Sequence, residues 1–115
     1  MKTMDATPYL GISYEQATCF QLVKRVYADR GIDIGHYAQP NFFKHWDKVS
    51  PDELKELDML HIDFRGLTRE HVGLYVGKGM FLHTIETQNG GPGTSMLGRI
   101  SVYRKYIRGA YRWRG

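Results

Sequence analysis

His71-Val72-Gly73-Leu74-Tyr75-Val76-Gly77-Lys78-Gly79-Met80-Phe81-Leu82-His83 is the stretch on which the fold turns. Two alternating runs flank a Gly-Lys-Gly centre, the pattern of a β-hairpin whose turn needs positive φ. Val72, Leu74, Val76, Met80 and Leu82 are the apolar set, and all carry even numbers. Placing them on one buried face requires cross-strand partners of equal parity, hence a loop with an odd number of residues. Gly77-Lys78-Gly79 supplies one. His71 and His83, both odd, then project together from the opposite face as direct or diagonal neighbours. Gly73, between them on that face, is expected to leave room for an incoming group.

Upstream, residues 18 to about 30 read as a helix. Cys19, Leu22, Val23 and Val26 fall at i, i+3, i+4 and i+7 as one apolar stripe. Thr18, followed three residues later by Gln21, fits a capping box, and Gly31 a C-terminal cap. Pro40 to Trp46 reads as a short helix, Ser50-Pro51-Asp52-Glu53 as a second helix start, and Leu57 to Ile62 as extended chain. Asn89-Gly90-Gly91-Pro92-Gly93 reads as a flexible loop, Ile100 to Tyr103 as a strand and Tyr106 to Trp113 as another. A long early helix followed by strands is an α+β order, not alternating βαβ.

The 115 residues are 42% hydrophobic and 24% charged, a composition suited to one globular domain over 1–115. No stretch approaches the roughly 20 apolar residues of a membrane span. The first residues lack the apolar core of a secretory signal, so synthesis in a cytoplasm without export by that route is expected. A single cysteine excludes an intramolecular disulfide and multi-thiolate zinc sites. The five histidines show no metal-binding spacing, so neither metal nor other cofactor is expected. Net charge is +4, with Arg99, Arg104, Lys105, Arg108, Arg112 and Arg114 near the end. Without a recognition-helix signature or a consecutive basic run, nucleic acid is not an expected partner.

Cys19 has two readings. A lone cysteine on an apolar stripe can be a small buried hydrophobe. The first turn of a capped helix, with its unpaired N–H groups and dipole, also favours a thiolate. The histidine pair suits the second reading. A thiol nucleophile needs a base, here His71, and the base needs a polar partner to fix its tautomer and ring plane, here His83. His36, His45 and His61 read as structural. Tyr14 reads either as packing or as a hydroxyl that binds the substrate carbonyl or its oxyanion, with the Cys19 backbone N–H as a further donor. Asp58 reads as a turn or strand-entry residue.

These residues resemble the NlpC-like family of cell-wall cysteine peptidases, of papain-like fold. The likeness rests on Tyr14 through Thr18-Cys19-Phe20-Gln21-Leu22, on Leu57-Asp58-Met59-Leu60 and, most specifically, on the hairpin from His71 to His83. Thr18 stands where the family has Asp, and Gln21 where it has Gly. The resemblance implies an N-terminal helix bearing a catalytic Cys at its start, packed on an antiparallel sheet. It implies Cys19 as nucleophile, His71 as base, His83 as third polar residue, and cleavage of amide bonds in peptidoglycan stem peptides. Tyr9-Leu10-Gly11 and Arg108-Gly109-Ala110-Tyr111-Arg112 further resemble bacteriophage tail-tip hydrolases, which implies phage tail proteins as partners and a virion-borne route to the wall. An inactive tail component on the same fold is the alternative.

Overall fold

A computed structural model describes residues 4–13, 16–63, 71–84 and 93–115. Tyr14, and the loop expected over Asn89–Gly93 except Gly93, lie outside the described residues.

Helix α1 (Cys19–Asp29) starts and stops through local chemistry. Thr18 Oγ1 accepts the Gln21 N–H at 3.4 Å, and Gln21 Oε1 accepts the Thr18 N–H at 2.9 Å. Both halves of the capping box are therefore made. At the other end Gly31 takes φ +78°, its N–H donates to Ala28 O (2.9 Å), and that of Ile32 to Tyr27 O (3.0 Å). This is the paired bonding of a Schellman stop, which only a left-handed residue permits without strain. The buried stripe comprises Phe20, Leu22, Val23, Val26 and Tyr27, with Cys19 half-buried at its margin.

Among the described residues, six strands form one antiparallel sheet: β1 (Trp46–Val49), β2 (Met59–Ile62), β3 (His71–Gly77), β4 (Met80–Thr84), β5 (Ser95–Arg99) and β6 (Ile107–Trp113). Their spatial order is β1-β6-β2-β3-β4-β5. α1 covers one face, where Leu22, Val23, Val26 and Tyr27 pack with Met59, Leu74, Val76 and Leu82. The other face carries a second core of Leu60, Ile62, Phe81, Ile107 and Ala110, against which Ile100, Tyr103 and Tyr106 pack. The α+β arrangement of one principal helix on an antiparallel sheet is thus the one expected from element order.

Three local expectations are corrected. The region from Pro40 yields only a 3-10 turn, Phe42–His45, because Trp46 is drawn into β1 opposite Trp113. The two indoles meet edge to face with centroids 5.1 Å apart, a cross-strand aromatic pair that outweighs local helix signals. Ser50-Pro51 opens one turn and no helix: Ser50 O accepts the Glu53 N–H (2.9 Å), after which Leu57 reverses the chain at φ +76°. Finally, Ile100–Tyr103 is a short helix, α2, while the preceding Ser95–Arg99 is the strand. β5 is an edge strand and β6 lies on the far side of β2 and β3, so the chain must cross the sheet between them. α2 and the 3-10 turn Arg104–Tyr106 make that crossing, with Ile100 and Tyr103 packed on the second core and Val102 left exposed.

The hairpin parity holds by a different device. Tyr75 faces Phe81 and Leu74 faces Leu82, pairs of equal parity, whereas Gly77 faces Met80 across a bulge. Lys78 (φ +53°) and Gly79 (φ +73°) form a tight two-residue turn, which alone would reverse the parity. The bulge between Tyr75 and Gly77 adds the missing residue and keeps Leu74, Val76 and Leu82 on the α1 face.

Candidate functional site

Hairpin register carries His71 and His83 to the same face, and their side chains meet there. His71 Nε2 lies 3.1 Å from His83 Nδ1, with the rings edge to face. One proton is shared across this contact, and its placement decides what His71 can do. If His71 Nε2 donates, its Nδ1 keeps a lone pair and can accept a proton. If His83 Nδ1 donates, His71 carries its proton on Nδ1 and cannot act as a base while neutral.

Helix α1 packs against β3, the strand that begins at His71. The backbone N–H groups of Val72, Phe20 and Cys19 itself interact with the Cys19 sulfur. Val72 directly follows His71, so the first turn of α1 meets the first residues of β3. The helix start was expected to favour a thiolate. Burial dominates instead and raises the thiol above its ordinary range, with the three N–H groups only partly offsetting it. The resting sulfur is therefore a thiol at neutral pH.

Both imidazoles are pushed the other way. Burial, and secondarily the neighbouring His83, lowers His71 to about 3, and burial lowers His83 to about 4. Thiol and imidazoles are consequently all neutral near pH 7. An unfolded histidine titrates near 6.5. Below that pH the unfolded chain binds more protons than the native one, so stability falls as pH falls toward the folded values. The contribution is fully present above about pH 6.5. We expect the urea midpoint to drop between pH 7 and pH 5, above most carboxylate titration, while the C2–H resonances of these two histidines stay unshifted. Either ring titrating near 6.5 in the native state would contradict the burial argument.

The structure also shows what the sequence reading missed. Gly73 does not clear space for a substrate: a Cβ there would lie 2.8 Å from Phe81 Cδ2, because the Phe81 ring already fills the gap. Phe81 is odd-numbered like the two histidines, so strand alternation places its ring on their face. Asp58 is more than a strand-entry residue. Its buried carboxylate accepts from Arg112 Nε (3.0 Å), Arg112 Nη2 (2.8 Å) and the Lys55 N–H (2.8 Å). Arg112 also donates to Glu53 O at 3.0 Å, fastening the 50–58 segment to β6. His36 stacks on Tyr37 (4.4 Å between centroids), and His45 lies against Trp113 (5.6 Å), so neither joins the His71–His83 pair. Among the described residues no group of three His, Cys, Asp or Glu side chains could hold a metal ion, and no helix is long and apolar enough to cross a membrane.

Comparison with known proteins agrees with this architecture. The fold is similar to that of a Staphylococcus aureus protein described as similar to a lipoprotein of the NLP/P60 family. That match has a TM-score of 0.66 and 22% identity, and covers 96% of this chain but only 39% of the other. The chain thus spans about two fifths of that protein's length. Among curated proteins none matches. Residues 7–108, nearly the whole chain, match the NlpC/P60 family, whose members are generally cysteine peptidases or amidases. With its helix packed on an antiparallel sheet and Cys19 at the helix start, this chain belongs to the NlpC/P60 family.

Proposed function

We propose that this chain cleaves amide bonds in peptidoglycan stem peptides, with Cys19 as nucleophile, His71 as general base and His83 as the residue that orients His71. The observation that carries this reading is the 3.1 Å His71 Nε2–His83 Nδ1 contact, with His71 on the strand against which the Cys19 helix packs. In the tautomer where His71 Nε2 donates to His83, His71 Nδ1 takes the thiol proton as sulfur attacks the carbonyl carbon. Imidazolium and anionic tetrahedral intermediate form together, so each offsets the other's charge in a buried site. The Cys19 N–H at the helix start, and Tyr14, are the proposed oxyanion donors. His71 then returns the proton to the leaving amine, and water releases the acyl group by the reverse route. The chemistry needs no metal or cofactor.

Delivery by a bacteriophage tail is part of the proposal, supported by the likeness of Tyr9-Leu10-Gly11 and Arg108 to Arg112 to tail-tip hydrolases. It would bring the chain to the wall, with tail proteins as partners. A second reading, an inactive tail component, draws support from Thr18 and Gln21 standing where the family has Asp and Gly. Incubating the purified chain with sacculi separates them. Release of stem peptides with new amine termini, identified by mass spectrometry, is expected. A folded chain that releases none from the walls of its host favours the inactive component.

A further inference from the structure

His83 has a strong polar handle on one side only. Nδ1 meets His71, whereas Nε2 is buried and has no hydrogen-bond partner among the described residues. One contact of this kind does not stop an imidazole from rotating or changing tautomer, so apolar packing has to set the ring. Phe81 supplies it. The Phe81 and His83 centroids are 4.5 Å apart at a 40° tilt. Tyr103 stands edge-on to both, 5.3 Å from Phe81 and 5.6 Å from His83.

The seat of Phe81 is cut into both neighbouring strands. On β3, the absent side chain of Gly73 admits Cδ2. On β5, Gly98 lies directly opposite Phe81, and a Cβ there would come within 2.8 Å of Cε1, 2.9 Å of Cζ and 3.1 Å of His83 Nε2. Distances under 3.0 Å are closer than carbon atoms approach, and both rings are fully buried with nowhere to yield. Neither glycine has a positive φ, so backbone conformation does not explain them. Close approach of the two rings does.

We infer that Phe81, seated by Gly73 and Gly98, is a positioning residue that fixes the plane and tautomer of His83 and thereby aims His71 at Cys19. The inference rests on the proposed function for its catalytic meaning, though not for its structural content. Its test uses the full chain with ring nitrogens of histidine labelled with 15N, so that chemical shifts report tautomer and hydrogen bonding directly. In the wild type a single tautomer is expected for each ring of the His71–His83 pair. Phe81→Leu and Gly98→Ala, checked for a cooperative urea transition, are expected to give mixed tautomers. They should also lower kcat on stem peptides by about 10- to 100-fold, as small misplacements in active sites do, with KM within about twofold. Val26→Ala, a core truncation on the buried stripe of α1, serves as control: it should lower the urea midpoint but keep both the tautomer signature and kcat.

Wild-type nitrogen shifts in Phe81→Leu would overturn the inference. If that variant fails to fold, Gly98→Ala, which adds one methyl group, decides by the same measurement. A wild type that cleaves no wall peptide defeats the functional reading alone, because the tautomer signature still decides whether Phe81 positions the pair.

Discussion

Cys19→Ala is expected to lower peptide release from sacculi by at least about 10⁴-fold, the scale on which removal of a nucleophile from such a unit acts. The loss should be in kcat, since the thiol enters covalent chemistry and contributes little to ground-state binding. Burial raises the Cys19 thiol and lowers His71 to about 3, so the resting pair is uncharged and sulfur becomes nucleophilic only as its proton leaves. Cys19 is the single cysteine of the sequence, so no other thiol can substitute in that step. The fold should survive, because Cys19 lies at the margin of the buried stripe and the capping box is made by Thr18 and Gln21. A urea midpoint close to wild type, together with absent activity, is the expected pair of results. Retention of a tenth or more of the wild-type rate would sink the assignment of Cys19.

Arg112→Met is expected to have the largest effect on stability. Arg112 closes a two-pronged contact on Asp58, whose carboxylate is 1% exposed, while the Arg112 side chain is about one third exposed. Removing one partner of a buried pair leaves the other charge uncompensated, at a typical cost of about 3–5 kcal/mol. Water can reach part of the vacated position, which places this case at about 3 kcal/mol, the lower end of that range. The same guanidinium holds Glu53 O, so the 50–58 segment should loosen as well. Urea unfolding measures the first effect and amide exchange at Lys55 and Asp58 the second. A midpoint within experimental error of wild type would show that the pair is a solvated contact.

The residues around Asp58 show how far sequence reasoning reaches. Leu57-Asp58-Met59-Leu60 is legible as an entry to a strand because its apolar alternation is local. That Asp58 meets a residue 54 positions later is not legible, since no periodicity relates β2 to β6. Element boundaries divide in the same way. Helix α1 is readable to within a residue because its start and stop are chemical: a capping box at Thr18 and a left-handed glycine at Gly31. Ile100–Tyr103 misleads because its β-branched residues meet a topological demand, the crossing from β5 to β6, that outweighs their strand preference.

For the candidate site, sequence alone determined which side chains share a face. Strand periodicity of two leaves no alternative once the even-numbered residues are buried, so His71 and His83 had to project together. It also placed Cys19 in the first turn of a capped helix. Only the tertiary structure decided the electrostatics and the shape. Burial outweighs the helix terminus and raises the thiol, and it makes both imidazoles neutral. Likewise, the gap at Gly73 belongs to Phe81 because a third strand brings Gly98 beneath the same ring. Periodicity is a property of one segment, whereas desolvation and close packing arise only where several segments exclude water together.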